Sequence, residues 1–199
     1  MSRPDAGAAA EHGFQAAGPA PPGLVNVANA LTVLRLALVP VFVVLLVSGG
    51  DAARIAACAV FGVASVTDFL DGELARRRSL ITDFGKIADP IADKALTGSA
   101  LVVLSAIGEL PWWVTAVILF RELGVTALRF WVISRGVIAA SRGGKLKTLL
   151  QVIAIALYIL PGPFRVVREV VMAAALVVTV VTGADYVLRA IRLRRAVPG

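Results

Sequence analysis

The sequence predicts an all-α integral membrane protein with six transmembrane helices. Hydrophobic residues make up 58% of the 199 residues, and the mean hydropathy is +0.85. This apolar share is well above that of a soluble domain. No stretch shows the alternation typical of a strand, and a helix satisfies its own backbone hydrogen bonds in lipid. The length suits one compact domain rather than two.

Six apolar segments follow one another along the chain, and most approach the roughly 20 residues that a helix needs to cross a bilayer. They cover residues 31–47, 52–70, 87–107, 112–133, 146–160 and 166–188. The fifth is the shortest, but Lys145 and Lys147 at its start can extend their charged ends to the membrane surface. We therefore expect a transmembrane catalytic domain over residues 24–195, followed by a short C-terminal end, 196–199.

The first 23 residues differ in composition from the rest of the chain. Residues 1–23 are rich in Ala, Gly and Pro and contain few large apolar groups. Such a segment cannot form a core, and we expect a disordered cytosolic tail. It lacks a basic start, and the apolar segment behind it is longer than that of a signal peptide, so we expect no cleavage.

The distribution of basic residues predicts the topology. Twelve Lys and Arg residues follow the second, fourth and sixth segments, whereas only Arg54, Arg165 and Arg168 lie at the other ends. The side richer in Lys and Arg faces the cytosol. We therefore expect a multi-pass protein of the cell membrane with both termini cytosolic. The net charge of +7 suggests nucleic-acid binding as an alternative, but the high hydropathy argues against it.

Four carboxylates lie where the second and third segments meet the cytosol. Asp68 and Asp71 are three residues apart, and Asp89 and Asp93 are four apart, so each pair shares a helix face. Crowded carboxylates repel one another unless a positive charge lies between them. Oxygen ligands alone favour hard ions such as Mg²⁺ or Mn²⁺. The spacing predicts a metal site just inside the membrane; solvated charges in a loop are the alternative.

The stretch DFLDGELARRRSLITDFGKIADPIAD resembles the signature of the CDP-alcohol phosphatidyltransferases, D-x2-D-G-x2-A-R-x8-G-x3-D-x3-D. Eight fixed residues over 26 positions make a specific motif. Every fixed position is occupied, by Asp68, Asp71, Gly72, Ala75, Arg76, Gly85, Asp89 and Asp93.

The resemblance implies a six-helix membrane enzyme that transfers a substituted phosphate from a CDP-linked donor to an alcohol and releases CMP. It implies a two-metal site built by the four Asp residues, with Asp93 as the general base on the acceptor hydroxyl. Gly72, Ala75, Arg76 and Gly85 would then hold the cytidine and the phosphates. Homodimers are common in the family, so the resemblance also implies a possible homodimer.

Further polar residues lie in apolar surroundings near the same end. Arg121 and Arg129 are eight residues apart on the fourth segment, beside Glu122, and Lys145 and Lys147 begin the fifth. An anion site formed by Arg121, Arg129, Lys145 and Lys147 is one interpretation. The alternative for the arginines is a set of ion pairs that lock the helices together, and the alternative for the lysines is that they only determine the topology. The positions Asn29, Thr32 and Arg35 share one face of the first segment. These three residues either line a cavity that also holds the carboxylates, or they pack at an interface between helices.

These stretches outside the signature resemble family members that use CDP-diacylglycerol as the donor and sn-glycerol 3-phosphate as the acceptor. A phosphate-bearing acceptor would also match the surplus positive charge. A cardiolipin synthase or an enzyme using inositol phosphate is the alternative within the family. A cation-coupled transporter and a scaffold binding anionic membrane lipids are alternatives outside it. Near the end of the sixth segment, Asp185 and Arg189 are expected to form a simple pair on one helix face.

Overall fold

The computed structural model describes the backbone of residues 27–78, 83–132 and 142–196, and the side chains of residues 29–68, 91–128 and 146–192. These ranges form six helices and no strand, which confirms the predicted all-α class. The helices are α1 Val27–Ser48, α2 Asp51–Arg78, α3 Asp83–Ala106, α4 Trp112–Val132, α5 Arg142–Ile159 and α6 Arg165–Ala196. The expected disordered tail, residues 1–23, lies outside the described residues.

The helices extend beyond the apolar segments at the acidic end. α2 continues to Arg78 and α3 begins at Asp83, so the signature is carried by two helices and a short connection. α1 packs against both α2 and α3, α6 packs against α4 and α5, and α2, α3 and α5 close the bundle between them. This arrangement brings the first Asp pair and the second Asp pair to the same end of the bundle.

Short turns join the helices at the opposite end, which we call the loop end. Residues 49–50, 107–111 and 160–164 form these connections. Gly49 and Gly50 have φ angles of 73° and 79°, and Gly108 has a φ of 80°. Residues with a side chain rarely adopt this left-handed backbone conformation. Gly49 and Gly50 therefore allow the chain to turn from α1 into α2 within two residues.

The core lies in the middle of the bundle and is closely packed. Phe42 of α1 meets Phe61 of α2 with ring centroids 5.7 Å apart and planes tilted by 40°. Alanines at the helix contacts let the backbones approach closely, as small residues do between helices in membranes. The fully buried alanines are Ala57, Ala92, Ala100, Ala154 and Ala175.

The outer surface of the bundle is strongly apolar. Phe120 is 82% exposed, and Val44, Val63 and Val177 are also exposed. A soluble monomer rarely exposes so much contiguous apolar surface, which favours contact with lipid. Even α5, the shortest helix with 18 residues, is about 27 Å long, close to the ~30 Å hydrocarbon layer.

Two described helices, over Asn29–Ser48 and Arg165–Arg192, are long and apolar enough to cross a membrane by composition. The other four carry charges inside or beside their apolar stretches, such as Asp93 on α3 and Arg121 on α4. These findings are consistent with a membrane protein. The count of six spans and the orientation of the termini stay predictions.

An ion-pair cluster, which we call the Glu109 cluster, holds the loop end together. Glu109 accepts hydrogen bonds from Arg54 of α2 at 2.7 Å and from Arg168 of α6 at 2.8 Å. Arg54 also donates to the carbonyls of Tyr158 and Ile159, at 2.7 and 2.9 Å. Arg168 lies over the ring of Tyr158, 4.9 Å from its centroid. The cluster therefore joins α2, α5, α6 and the α3–α4 connection.

The pairing changes the acidity of Glu109, which lies in the connection between the helices. Partial burial works to raise the pKa of Glu109, but hydrogen bonds and charges from Arg54 and Arg168 outweigh it and lower that pKa below the ordinary 4.5. A carboxyl with a lowered folded pKa contributes its full stability above the unfolded pKa. That contribution is lost as the pH falls through the folded pKa.

We predict that Glu109→Gln lowers the melting temperature in detergent at about pH 7 and flattens its dependence on pH down to about pH 3.5. The melting temperature should be measured across this range for wild type and variant. The matched control is Glu169→Gln, which removes an exposed carboxylate paired with Arg165 at 3.0 Å. Parallel curves for wild type and Glu109→Gln would show that the Glu109 cluster does not stabilise the fold.

Candidate active site at the acidic end

Charged side chains from five helices meet at the acidic end of the bundle. They are Arg35 of α1, Asp68 of α2, Asp93 of α3, Glu122 of α4 and Lys147 of α5. Consecutive helices run in opposite directions, so α1, α3 and α5 begin at this end of the bundle, and α2 and α4 end there.

The ion pair of Arg35 with Asp68 connects α1 to the first residue of the signature. Arg35 is only 1% exposed, and its Nη1 lies 2.6 Å from Oδ1 of Asp68. Asn29 and Thr32, on the same helix face, are buried as well. Asp68 is 38% exposed, so the pair fixes this carboxylate while leaving it open to a ligand. The N-x-L-T-x-x-R face therefore packs inward beside the signature.

Asp93 lies half-buried on α3, between charges of both signs. Four charged groups act on its carboxylate: Lys94, Glu122, Lys147 and Arg35. Thr97, one turn further along, donates a hydrogen bond to the Asp93 carbonyl at 2.8 Å. Asp93 therefore lies near basic residues of α1, α3 and α5.

Glu122 is the acceptor shared by two basic residues. Lys147 Nζ donates to Oε1 of Glu122, and Arg121 Nη1 lies 3.4 Å from the same oxygen. Lys147 is buried, and Gln151 lies one turn deeper on the same face of α5. The buried Oε1 of Gln151 has no hydrogen-bond partner among the described residues. The pair of Glu122 with Lys147 therefore places a carboxylate and an ammonium group side by side near Asp93.

Arg121 is directed towards α6. Its Nε donates to the Thr179 carbonyl at 3.1 Å, and its Nη2 donates to Oγ1 of Thr182 at 2.8 Å. A Cβ added at Gly183 would lie 3.0 Å from Cγ of Arg121, so the glycine makes room for this side chain. These contacts fit the interpretation in which Arg121 locks two helices together. Its role in binding an anion stays a prediction.

The sequence reasoning missed Thr179, Thr182 and Gly183. Their signal was available as two hydroxyls and a glycine inside the apolar stretch of α6. Polar side chains in such a stretch usually find partners on a neighbouring helix.

Several predicted site residues have side chains outside the described ranges. The backbone of each lies in a helix near the acidic end, but their side-chain positions are not described. On α2 and α3 these are Asp71, Gly72, Ala75, Arg76, Gly85 and Asp89; on α4 and α5 they are Arg129 and Lys145.

The donor chemistry of the described carboxylates fits a hard divalent cation. Asp68 and Asp93 come from the two helices of the signature and reach the same end. Both supply oxygen ligands, which Mg²⁺ and Mn²⁺ prefer. Among the described side chains, no group of three or more metal-ligating residues comes together. A complete site would therefore also need Asp71 and Asp89.

We predict that Arg35→Gln destabilises the protein by roughly 1–3 kcal/mol, because it leaves the paired Asp68 without its partner. Unfolding in mixed detergent and SDS micelles would measure this free energy. The control is Arg189→Gln, which removes an exposed arginine paired with Asp185 at 2.9 Å and should change stability by less than about 0.5 kcal/mol. Equal effects of the two variants would contradict a special role for the buried pair.

Comparisons with known proteins show the family of this chain. The family model for CDP-alcohol phosphatidyltransferase matches residues 25–181. The chain is 58% identical over 174 residues to the probable phosphatidylglycerophosphate synthase of Mycobacterium tuberculosis strain H37Rv, which covers 85% of this chain and 83% of the relative. It is 36% identical over 181 residues to the CDP-diacylglycerol–glycerol-3-phosphate 3-phosphatidyltransferase of Bacillus subtilis strain 168, covering 82% and 94% of the two chains. The Escherichia coli K12 protein of the same name is 39% identical over 137 residues, covering 66% and 75%. The chain belongs to the CDP-alcohol phosphatidyltransferase family.

Proposed function

We propose that the chain transfers the phosphatidyl group from CDP-diacylglycerol to sn-glycerol 3-phosphate and releases CMP, as a step of phospholipid biosynthesis. The observation that carries the proposal is the meeting of signature carboxylates and buried cations at one end of the bundle. Asp68 and Asp93 lie there with Arg35 and Lys147. The names of the Bacillus subtilis and Escherichia coli relatives include this donor and this acceptor, and the Mycobacterium tuberculosis relative is named for phosphatidylglycerophosphate.

The four Asp residues of the signature, Asp68, Asp71, Asp89 and Asp93, would hold two divalent cations, Mg²⁺ or Mn²⁺. Bound there, the cations would neutralise the pyrophosphate of the donor and stabilise the charge that develops on CMP. Arg35 fixes the orientation of Asp68 through their 2.6 Å ion pair. This pairing holds one ligand in place before any substrate binds.

Asp93 is suited to act as the general base. It is half-buried, and Lys94 and Lys147 lie close enough to act on its charge. Its carboxylate would accept the proton of the acceptor hydroxyl as that oxygen forms a bond to the donor phosphorus. The bond between this phosphorus and the CMP oxygen breaks in the same transfer.

The donor and acceptor would use different walls of the site. Gly72, Ala75, Arg76 and Gly85 would hold the CDP group, with Arg76 paired to the pyrophosphate. The acceptor phosphate would contact the basic residues Arg121, Arg129, Lys145 and Lys147. Lys147 and Arg121 share Glu122 in this structure. A phosphate dianion would compete with that single carboxylate for both cations.

We also propose that the site opens to the cytosol, where a water-soluble acceptor is available, and that all six helices cross the cell membrane. The exposed apolar side chains of the bundle support contact with lipid. A homodimer is part of the proposal by family analogy only.

We predict that Asp93→Asn lowers kcat by roughly 10²–10⁴-fold, the usual loss for a general base. CDP-diacylglycerol binding should stay measurable, because the other signature residues remain. CMP release in the presence of Mg²⁺ and a donor-binding titration would test both parts. Near-normal turnover would remove Asp93 from the chemistry, and an absence of CMP release from the wild-type protein would favour a transporter.

A second prediction concerns the acceptor. The kcat/KM should be highest for sn-glycerol 3-phosphate among that compound, inositol phosphate, glycerol and phosphatidylglycerol. Lys147→Gln should raise the KM for glycerol 3-phosphate by roughly 10- to 150-fold, the loss of a hydrogen bond to a charged group, with little change in the donor KM.

Arg189→Gln is the control, because its exposed pair with Asp185 is local to α6. A preference for phosphatidylglycerol would indicate a cardiolipin synthase. A preference for inositol phosphate would keep the phosphate site and overturn the proposed acceptor.

A further inference from the structure

Glu122 lies among the cations that would bind the acceptor phosphate, and the proposed reaction assigns no step to it. Its Oε1 accepts a hydrogen bond from Nζ of Lys147 and lies 3.4 Å from Nη1 of Arg121. The side chain of Lys147 is only 8% exposed, whereas that of Glu122 is 19% exposed. A buried charge is unfavourable unless an opposite charge lies beside it. Glu122 therefore supplies the negative charge that the buried ammonium group needs.

The two cations beside Glu122 differ in how firmly they are held. Arg121 donates from Nε to the Thr179 carbonyl at 3.1 Å and from Nη2 to Oγ1 of Thr182 at 2.8 Å, so α6 fixes its guanidinium group. Lys147 carries its charge on a flexible four-carbon chain, and an ammonium group can turn from one acceptor to another. Lys147 can therefore leave Glu122 while Arg121 stays beside that carboxylate.

This arrangement gives every charge a partner in two states. In the first state Lys147 is paired with Glu122, as the structure shows. In the second state Lys147 is paired with a bound phosphate, and Glu122 keeps Arg121 as its partner. The two pairings are alternatives for one ammonium group. The stability of the pair with Glu122 is therefore subtracted from the free energy of phosphate binding.

The phosphate of the acceptor is not consumed in the proposed transfer. The acceptor reacts through its hydroxyl group, so the product, phosphatidylglycerophosphate, carries the same phosphate and presents it to the same lysine. Binding energy that substrate, transition state and product share does not speed the chemical step. It does slow the departure of the product, which limits the turnover of many enzymes. A competitor within the protein weakens the hold on this phosphate.

We propose that Glu122 is an internal competitor for Lys147 that promotes release of the product. Its carboxylate takes over the ammonium group as the phosphate of the product leaves, so Lys147 is not left buried without an anion. Glu122 does not touch the reacting atoms and is a positioning residue that acts through Lys147. The inference rests on the proposed function, because it takes glycerol 3-phosphate as the acceptor.

Three variants test the competition. Glu122→Gln removes the charge and keeps the shape of the side chain. Glu122→Asp keeps a carboxylate but withdraws it from Lys147 by one carbon atom. The double variant Glu122→Gln/Lys147→Gln removes both members of the pair and leaves no lysine to compete for. The matched control is Glu169→Gln, which removes an exposed carboxylate at the loop end, paired there with Arg165 at 3.0 Å.

The experiment follows CMP release by the full-length protein in detergent with Mg²⁺ and measures inhibition by short-chain phosphatidylglycerophosphate. Glu122→Gln should lower the inhibition constant of this product and the KM for glycerol 3-phosphate about tenfold, since a competing hydrogen bond between charged groups is lost. Glu122→Asp should give values between those of Glu122→Gln and wild type, and Glu169→Gln should behave as wild type. When Lys147 is already Gln, Glu122→Gln should change the inhibition constant less than about twofold.

A second measurement needs no turnover. Inorganic phosphate at one fixed concentration should raise the melting temperature of Glu122→Gln more than that of wild type, because a ligand that binds more tightly stabilises the folded state more. The control Glu169→Gln should show the wild-type shift.

Product inhibition that is unchanged or weaker in Glu122→Gln would overturn the inference. If that variant failed to fold, Glu122→Asp would decide in the same way. A tenfold effect of Glu122→Gln that persisted in the double variant would also overturn it, because Glu122 would then act on anions without Lys147. The proposed function fails by a different result, an absence of CMP release from wild type with glycerol 3-phosphate.

Discussion

The need to pair charges inside an apolar bundle governs the acidic end. Arg35 is 1% exposed, and a guanidinium so far from water is stable only beside a carboxylate. Its partner is Asp68, the first residue of the signature, so the same ion pair that allows α1 to pack also positions a proposed metal ligand. Lys147 of α5 and Glu122 of α4 form a second ion pair that joins two helices at this end. The acidic end is therefore both a set of helix contacts and a set of groups that a ligand can reach. In the proposed function, a substrate phosphate or a cation that binds there would replace one partner of such a pair.

The two ends of the bundle differ in what their charged residues do. At the loop end, Glu109 and its two arginines join helices that are far apart in the chain. Between the ends, the aromatic contact of Phe42 with Phe61 and the buried alanines supply close packing without charge. The acidic end can then carry several charges of both signs because it does not have to hold the bundle together alone. The apolar outer surface and the exposed Trp112 and Trp113 are consistent with a lipid environment for the middle of the molecule.

The sequence predicted the elements better than their contacts. Hydropathy located all six helices, and the eight fixed positions of the signature identified the family, because both signals are local in the chain. The pair of Asp185 with Arg189 was predicted from helical spacing and is confirmed at 2.9 Å. The contact of Arg121 with Thr182 joins residues 61 positions apart, and Arg54 and Glu109 are 55 apart. No spacing rule connects such residues, since their meeting depends on how α2, α4 and α6 pack. For Arg35 the sequence left two interpretations open, and the structure places it inside, against Asp68.

Binding of Mn²⁺ tests most directly the claim that the acidic end assembles a cation site around Asp68 and Asp93. Electron paramagnetic resonance can count Mn²⁺ bound to the purified protein with CDP-diacylglycerol present. The account predicts two spin-coupled ions per chain, about 3.5–4 Å apart as in two-metal sites. It also predicts weaker binding in Asp68→Asn and in Asp93→Asn, and unchanged binding in the distant Glu109→Gln. Equal Mn²⁺ binding by the wild type and both Asp variants would contradict the account.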